Sequence, residues 1–153
     1  MLGKLTTKQC EYILQSNYIG RIGCYTNGKV LVLPVTYVFD GEFIYGRSLE
    51  GTKISMMRKN PHVCFQVDNI DGLSSWRSVV VNGKFEELKT EAAQQKARKL
   101  FLERLQPLTL GETVDPAREH ANPPHTVVKK KKPIIYRIGI DEIAGRFEKQ
   151  VTL

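Results

Sequence analysis

Three dipeptides that favour left-handed backbone, Asn27-Gly28, Asp40-Gly41 and Asn82-Gly83, punctuate this chain between residues 27 and 83. Each is a strong local signal for a tight reversal between antiparallel strands. Between them lie short apolar segments. Ile19 to Tyr25 reads as a strand, Val30 to Val38 as its return, and Phe43 to Gly46 as a third, so the first two reversals build an antiparallel meander. Pro34 interrupts the second strand and has no N–H to donate, which restricts it to an edge or a bulge. Trp76 to Val81 reads as a further strand, with Asn82-Gly83 as its turn and Lys84 to Glu86 returning. Val63 to Val67 is another.

Helical signals are fewer. Thr6-Thr7-Lys8-Gln9 fits a capping box, followed by Cys10, Ile13 and Leu14 on one stripe, with Asn17 and Gly20 ending it. Thr52 is a candidate N-cap for a second helix carrying Ile54, Met57 and Arg58, which Asn60-Pro61 ends. Thr90 caps a third, on which Ala93, Ala97, Leu100, Phe101, Arg104 and Leu105 mark one side. That stripe reads as core or subunit packing rather than a cofactor box. Residues 106–133 hold five of the seven prolines and little apolar period, the pattern of a Pro-rich loop or lid. Ile134 to Ile138 then alternates as a last strand, and Asp141 to Ala144 reads as a turn before a polar tail. The sum is mainly β with flanking helices: a six- to seven-stranded antiparallel barrel, closed or split, in one domain spanning residues 1–153.

Composition removes several classes of function. The net charge of +7 falls to +3 once the run Lys129 to Lys132 is set aside, so the excess is local. A nucleic-acid binder would spread its charge over a face, and the lysine run reads as a solvated loop. No apolar run approaches the roughly 20 residues of a membrane helix, and the N-terminal residues are too polar for a signal-peptide core. Cys10, Cys24 and Cys64 are odd in number and lack paired spacing, which gives no support to a disulfide framework or zinc site and makes a reduced, cytoplasmic setting the better reading. His62, His120 and His125 have no ligand spacing, so no metal is expected; the last two read as exposed loop residues. Motifs for hydrolases, metalloproteases, P-loops and dinucleotide binding are absent.

One segment carries chemistry. Ser48-Leu49-Glu50-Gly51-Thr52-Lys53 places two hydroxyls, a glycine and an ammonium group at a helix start, where free amides and the helix dipole favour an anion. The same residue types also serve as ordinary capping.

The order and spacing of the whole run add a second line of inference. Pro34-Val35-Thr36-Tyr37, then Asp40 to Ser48, then Gly51-Thr52-Lys53, Asn60 to Phe65 and Trp76 to Gly83, resemble the FMN-binding split-barrel family related to pyridoxamine 5'-phosphate oxidase. The nitroimidazole-resistance-like branch is the nearest by pattern. The resemblance implies a homodimer with FMN in two clefts between the subunits. In it Lys53, Thr52 and the amides near Gly51 would hold the phosphate. Pro34, Val35, Thr36 and Tyr37, with Tyr45, Gly46, Arg47 and Ser48, would line the ring largely through backbone groups. Arg77 and Ser78 would approach from the neighbouring strand, across the interface. The implied activity is an oxidoreductase passing electrons from NADH or NADPH to a small organic acceptor. A non-catalytic flavin or haem module (carrier or sensor) is the alternative, and haem or a deazaflavin stay open as cofactors. Two departures matter. Arg47 stands where that branch usually has His, and the C-terminal Trp and Arg of the vitamin-processing oxidases are missing, which speaks against pyridoxamine phosphate as substrate.

Overall fold

The computed structural model describes residues 1–106 and 132–151. Seven antiparallel strands, β1 (Leu2–Leu5), β2 (Ile19–Thr26), β3 (Lys29–Phe39), β4 (Phe43–Ser48), β5 (His62–Gly72), β6 (Ser75–Glu87) and β7 (Ile134–Glu148), form one sheet in the order β1-β7-β4-β3-β2-β5-β6. Pairing of β6 with β7 closes it into a barrel. Helices α1 (Thr7–Ser16), α2 (Thr52–Lys59) and α3 (Glu91–Leu105) pack on it.

The first two reversals form as their chemistry dictates. Asn27 and Gly28 take φ of 51° and 78°, the left-handed pair that a two-residue hairpin needs, and Gly41 takes 100°. At the second turn the Asp40 carboxylate accepts bonds from the Glu42 and Phe43 amides at 2.9 and 2.7 Å. The third dipeptide behaves differently. Asn82-Gly83 is not a turn: β6 runs straight through it, with a register shift against β7 between Asn82 and Gly83. Neither residue adopts positive φ, and a Cβ on Gly83 would overlap the Gly139 carbonyl oxygen. Glycine is there for close strand approach at a bulge. Asp141 to Ala144 is likewise strand rather than turn, because Val81 and Asn82 of β6 pair with Ile143 and Glu142. Pairing along β6 overrides the weak local propensity of those acidic residues. Strand β1, which pairs with Gly145–Glu148 of β7, has no counterpart among the sequence signals.

Two apolar layers result. Ile22, Tyr37, Ile44, Ile54, Met57, Phe65, Val79 and Tyr136 fill the barrel interior, while Val38, Tyr45, Leu88 and Ile135 on its outer side are covered by Ala97, Phe101 and Leu105 of α3. The stripe on α3 is therefore core packing, as its spacing predicts.

Helix α1 opens with the predicted capping box, Thr6 and Gln9 exchanging bonds of 3.2 and 2.8 Å with each other's amides. It closes without a glycine, so its last carbonyls need other donors. Asn17 reaches the Ile13 carbonyl at 2.9 Å, the Tyr37 hydroxyl the Leu14 carbonyl at 2.6 Å, and Arg104 the Gln15 carbonyl at 2.7 Å. Arg104 also lies 4.0 Å from the centre of the Tyr18 ring, tying α3 to the chain that follows α1. Tyr37→Phe is expected to destabilise the fold by about 1–2 kcal/mol, because a buried carbonyl loses its donor. Urea unfolding measures it, and an unchanged midpoint would contradict this role.

Candidate functional site

Strands β3 and β4 pair only from Tyr37–Phe39 to Ile44–Gly46. Beyond Tyr37 and Gly46 they diverge, β3 continuing along β2 and β4 along β7. This leaves a notch in the barrel wall, with Pro34-Val35-Thr36 on one lip and Arg47-Ser48 on the other. Across this gap β3 and β4 are out of ladder register with each other. Pro34, exposed and opposite Arg21 of β2, sits on the stretch of β3 that has β2 as its one neighbour, so its missing N–H breaks no second ladder.

The chain leaves β4 at Ser48, whose hydroxyl donates to the Leu49 carbonyl at 3.0 Å, and enters α2. The N-cap of α2 is Gly51, not Thr52, and it makes no side-chain capping bond. Thr52 is already the first helical residue because the Gly51 carbonyl accepts the first helical bond, from the Ser55 amide at 3.0 Å. Thr6 and Thr90 each give a side-chain acceptor to the first turn of their helices. The first-turn amides of α2 have no such acceptor, and the exposed Thr52 hydroxyl lies beside them.

Packing fixes this helix start. Ile54 and Met57 are buried in the barrel core, and the Met56 and Cys24 sulfurs are 4.0 Å apart. At the other end Asn60 donates to the Tyr25 carbonyl at 2.9 Å. Lys53 is half-buried, and burial holds its ammonium below the usual lysine range, opposed by the Cys24 thiol. Burial in turn pushes the Cys24 thiol up, opposed by the Lys53 charge. An anionic ligand oxygen would give this cation the counter-charge that the surrounding thiol does not.

Not every predicted side chain faces the notch. Tyr37 and Val35 point into the barrel core, and Tyr45 lies in the layer under α3. Of the three, Val35 alone has its backbone on the notch, because Tyr37 and Tyr45 lie where β3 and β4 pair. Gly46 has a packing reason: a Cβ there would overlap the Tyr136 ring. Thr36, Arg47, Ser48 and Lys53 are half-buried, and Pro34, Gly51 and Thr52 are exposed. Arg77 and Ser78 stand apart, on β6, three strands from β3 in either direction around the barrel. Ser78 belongs to an outer-face network in which Gln66 donates to Asp68 at 2.7 Å and to Ser78 at 3.0 Å, with Arg21 3.5 Å from Asp68. Trp76 donates to Glu148 at 2.9 Å along the β6–β7 seam. His120, His125 and Lys129 to Lys131 lie outside the described residues.

A groove of about 510 Å³ on the described surface contains none of these site residues. It runs over the outer face of β2, β3 and β5 past Gly23, Val30, Val32 and Cys64. Among the described residues no cluster of His, Cys, Asp and Glu could hold a metal, and no helix is long and apolar enough to cross a membrane.

The sequence model for pyridoxamine 5'-phosphate oxidase matches residues 6–147, nearly the whole barrel. The chain belongs to this family. A pyridoxamine 5'-phosphate oxidase-like fold accounts for the closed sheet with a gap in its wall. A FAD-binding protein of Mesorhizobium loti is similar at 26% identity and a TM-score of 0.73, with 98% of each chain covered. A structure from Bacteroides thetaiotaomicron, assigned to 5-nitroimidazole antibiotic resistance, shares the fold at a TM-score of 0.71 and 16% identity, over 96% of this chain and 87% of that one. A Rhizobium meliloti (strain 1021) protein of uncharacterized function is 31% identical over 84 residues, 55% of this chain. The matched part spans 56%, about half, of that relative's length.

Proposed function

We propose that this chain is a flavin-dependent oxidoreductase that binds FMN in the β3–β4 notch and works as a homodimer. The observation that carries the reading is the continuity of the notch with the α2 start. Two diverging strand edges lead to helix-start amides without a side-chain cap and a half-buried ammonium group, matching a planar ring ending in a phosphate. The similarity to a FAD-binding protein across the whole chain supports a flavin.

A bound flavin supplies the electron transfer, so the chain's own residues need only hold, orient and shield it. Lys53, Thr52 and the α2 amides would hold the phosphate. The edges of Pro34 to Thr36 and of Arg47 and Ser48 would flank the ring. Arg47 is permanently charged, so it favours negative charge on the ring and is not a proton donor. This division of labour requires no acid–base pair from the chain.

The dimer reading rests on the outer face. Val30 and Val32 are 71% and 60% exposed beside the groove on β2, β3 and β5, an apolar strip that a second copy would cover. Ser78 lies on the same outer face, so a second copy seated there would bring Ser78 of the partner subunit toward the notch. This would account for Ser78, half a barrel from β3; Arg77, one residue earlier on β6, lies instead beside Lys8 and Tyr12 of α1.

The Mesorhizobium likeness favours FAD as a second reading of the cofactor. Heat-released cofactor resolved by chromatography distinguishes the two. The prediction is FMN; FAD, haem or a deazaflavin would overturn that choice. Anaerobic mixing with NADH or NADPH is expected to bleach the flavin band. A flavin that neither donor reduces would make the chain a binding module. Sedimentation is expected to give two chains per particle, and a monomer that retains flavin would remove the shared cleft.

A further inference from the structure

Beside the proposed phosphate site lies an ionic arrangement that the flavin reading does not use. Arg58, near the C-terminal end of α2, donates from Nη1 and Nη2 to both oxygens of Glu50 at 2.9 and 2.8 Å. It also donates from Nε and Nη2 to both oxygens of Glu87 at 2.9 and 2.8 Å. One guanidinium thus holds two carboxylates in two forks.

We propose that Arg58 is a positioning residue for the flavin phosphate, locking the turn that carries Gly51 to Lys53 and offsetting the carboxylates beside it. The inference rests on the FMN reading and deepens it.

Geometry supports the locking. Residue 58 lies seven residues beyond the N-cap, about 10 Å along the helix axis. Side chains on a helix lean toward its N-terminus, so Arg58 reaches back along α2 to meet Glu50 just ahead of the helix. Gly51 between them is fully extended, with φ of 177°, and has no side chain to fix it. Apart from the Ser48 contact with Leu49, the bonds from Arg58 are those that anchor the side chains of this turn. Glu87, 17% exposed at the end of β6, ties the same cation to the barrel. Exposed single ion pairs contribute little, but a double-forked network on a planar guanidinium is the favourable case.

Charge supports the offset. Glu50, Glu87 and Arg58 together carry −1; without Arg58 they carry −2 beside a site that would receive a phosphate. Uncompensated carboxylates there would repel the ligand and displace Glu50, and with it the α2 start.

The test compares FMN with riboflavin, which has the same ring and lacks the phosphate. Fluorescence titration of Arg58→Met is expected to show FMN affinity reduced ~10-fold, with riboflavin affinity within about twofold of wild type. Arg58→Lys keeps the charge and loses the forks, so its FMN deficit is expected to be smaller, ~3-fold. This second variant serves if Arg58→Met does not fold. Equal losses for FMN and riboflavin would make the clamp merely structural and overturn the proposal, as would unchanged FMN affinity in both variants. Wild-type protein that binds FMN no better than riboflavin would instead sink the phosphate site itself. A wild-type preference that survives both substitutions sinks Arg58 alone.

Discussion

Lys53→Ala is expected to lower FMN affinity by ~10- to 100-fold, the loss of one charge-assisted contact to a phosphate. The substituted protein is expected to keep its stability or gain some. Lys53 is half-buried, and burial holds its ammonium below the usual lysine range, so in the ligand-free protein the charge is a burden on the fold. A residue whose removal leaves thermal unfolding unchanged and releases the cofactor is a binding residue, not a packing one. The same shift predicts a pH dependence. The phosphate needs the charged form, and the charged form is lost as pH rises through the free-protein value, which lies under the ordinary 10.5. FMN affinity should therefore be flat near neutrality and fall at a pH lower than an exposed lysine would give. Fluorescence titration from pH 7 upward reads both effects. Affinity that is indifferent to Lys53→Ala and to alkaline pH would remove this residue from the site.

Gly83→Ala is expected to produce the largest loss of stability of any single methyl group considered. The added Cβ would overlap the Gly139 carbonyl oxygen and lie 2.9 Å from Ile138 Cγ2. The first of these is backbone, which cannot rotate aside. Strand β7 would have to move away from β6 at the bulge, opening the seam that closes the barrel. Overpacking and weakened ladder bonds together cost about 2–4 kcal/mol. In a chain of this length that lowers Tm by roughly 5–15 °C. Gly139→Ala supplies the contrast: its Cβ would meet only Phe43, at 3.7 Å, an ordinary contact. That variant should unfold within a few degrees of wild type. Equal effects from the two substitutions would contradict the tight approach at Gly83.

Local chemistry made some features legible in the sequence and hid others. Asn27-Gly28 and Asp40-Gly41 form turns because the φ values they favour are the ones a hairpin requires. Asn82-Gly83 carries the same local signal, yet sits inside a 13-residue strand because both its neighbours on the sheet pair through it. Asp141 and Glu142 look like turn residues for the same reason: their strand is set by β6, far away in sequence. Thr6 and Thr90 cap as their spacing predicts, whereas at α2 the glycine one position earlier takes the cap from Thr52.

The site divides along the same line. The Ser48 to Lys53 turn is contiguous, so its chemistry can be read from residue order. The notch depends on where two strands part, which no local pattern records. Tyr37 and Tyr45 are marked by their neighbours in the motif, but alternation places one ring inside the barrel and the other under α3. Arg58 was legible only as a helix residue, because the partners that give it a role lie eight and 29 positions away.

Absorbance of the purified protein titrated with FMN tests the central claim most directly. The account predicts a perturbed flavin spectrum that saturates at one FMN per chain, in the wild-type protein and at neutral pH. Protein that arrives colourless and leaves the spectrum of added FMN unchanged at every ratio would contradict it.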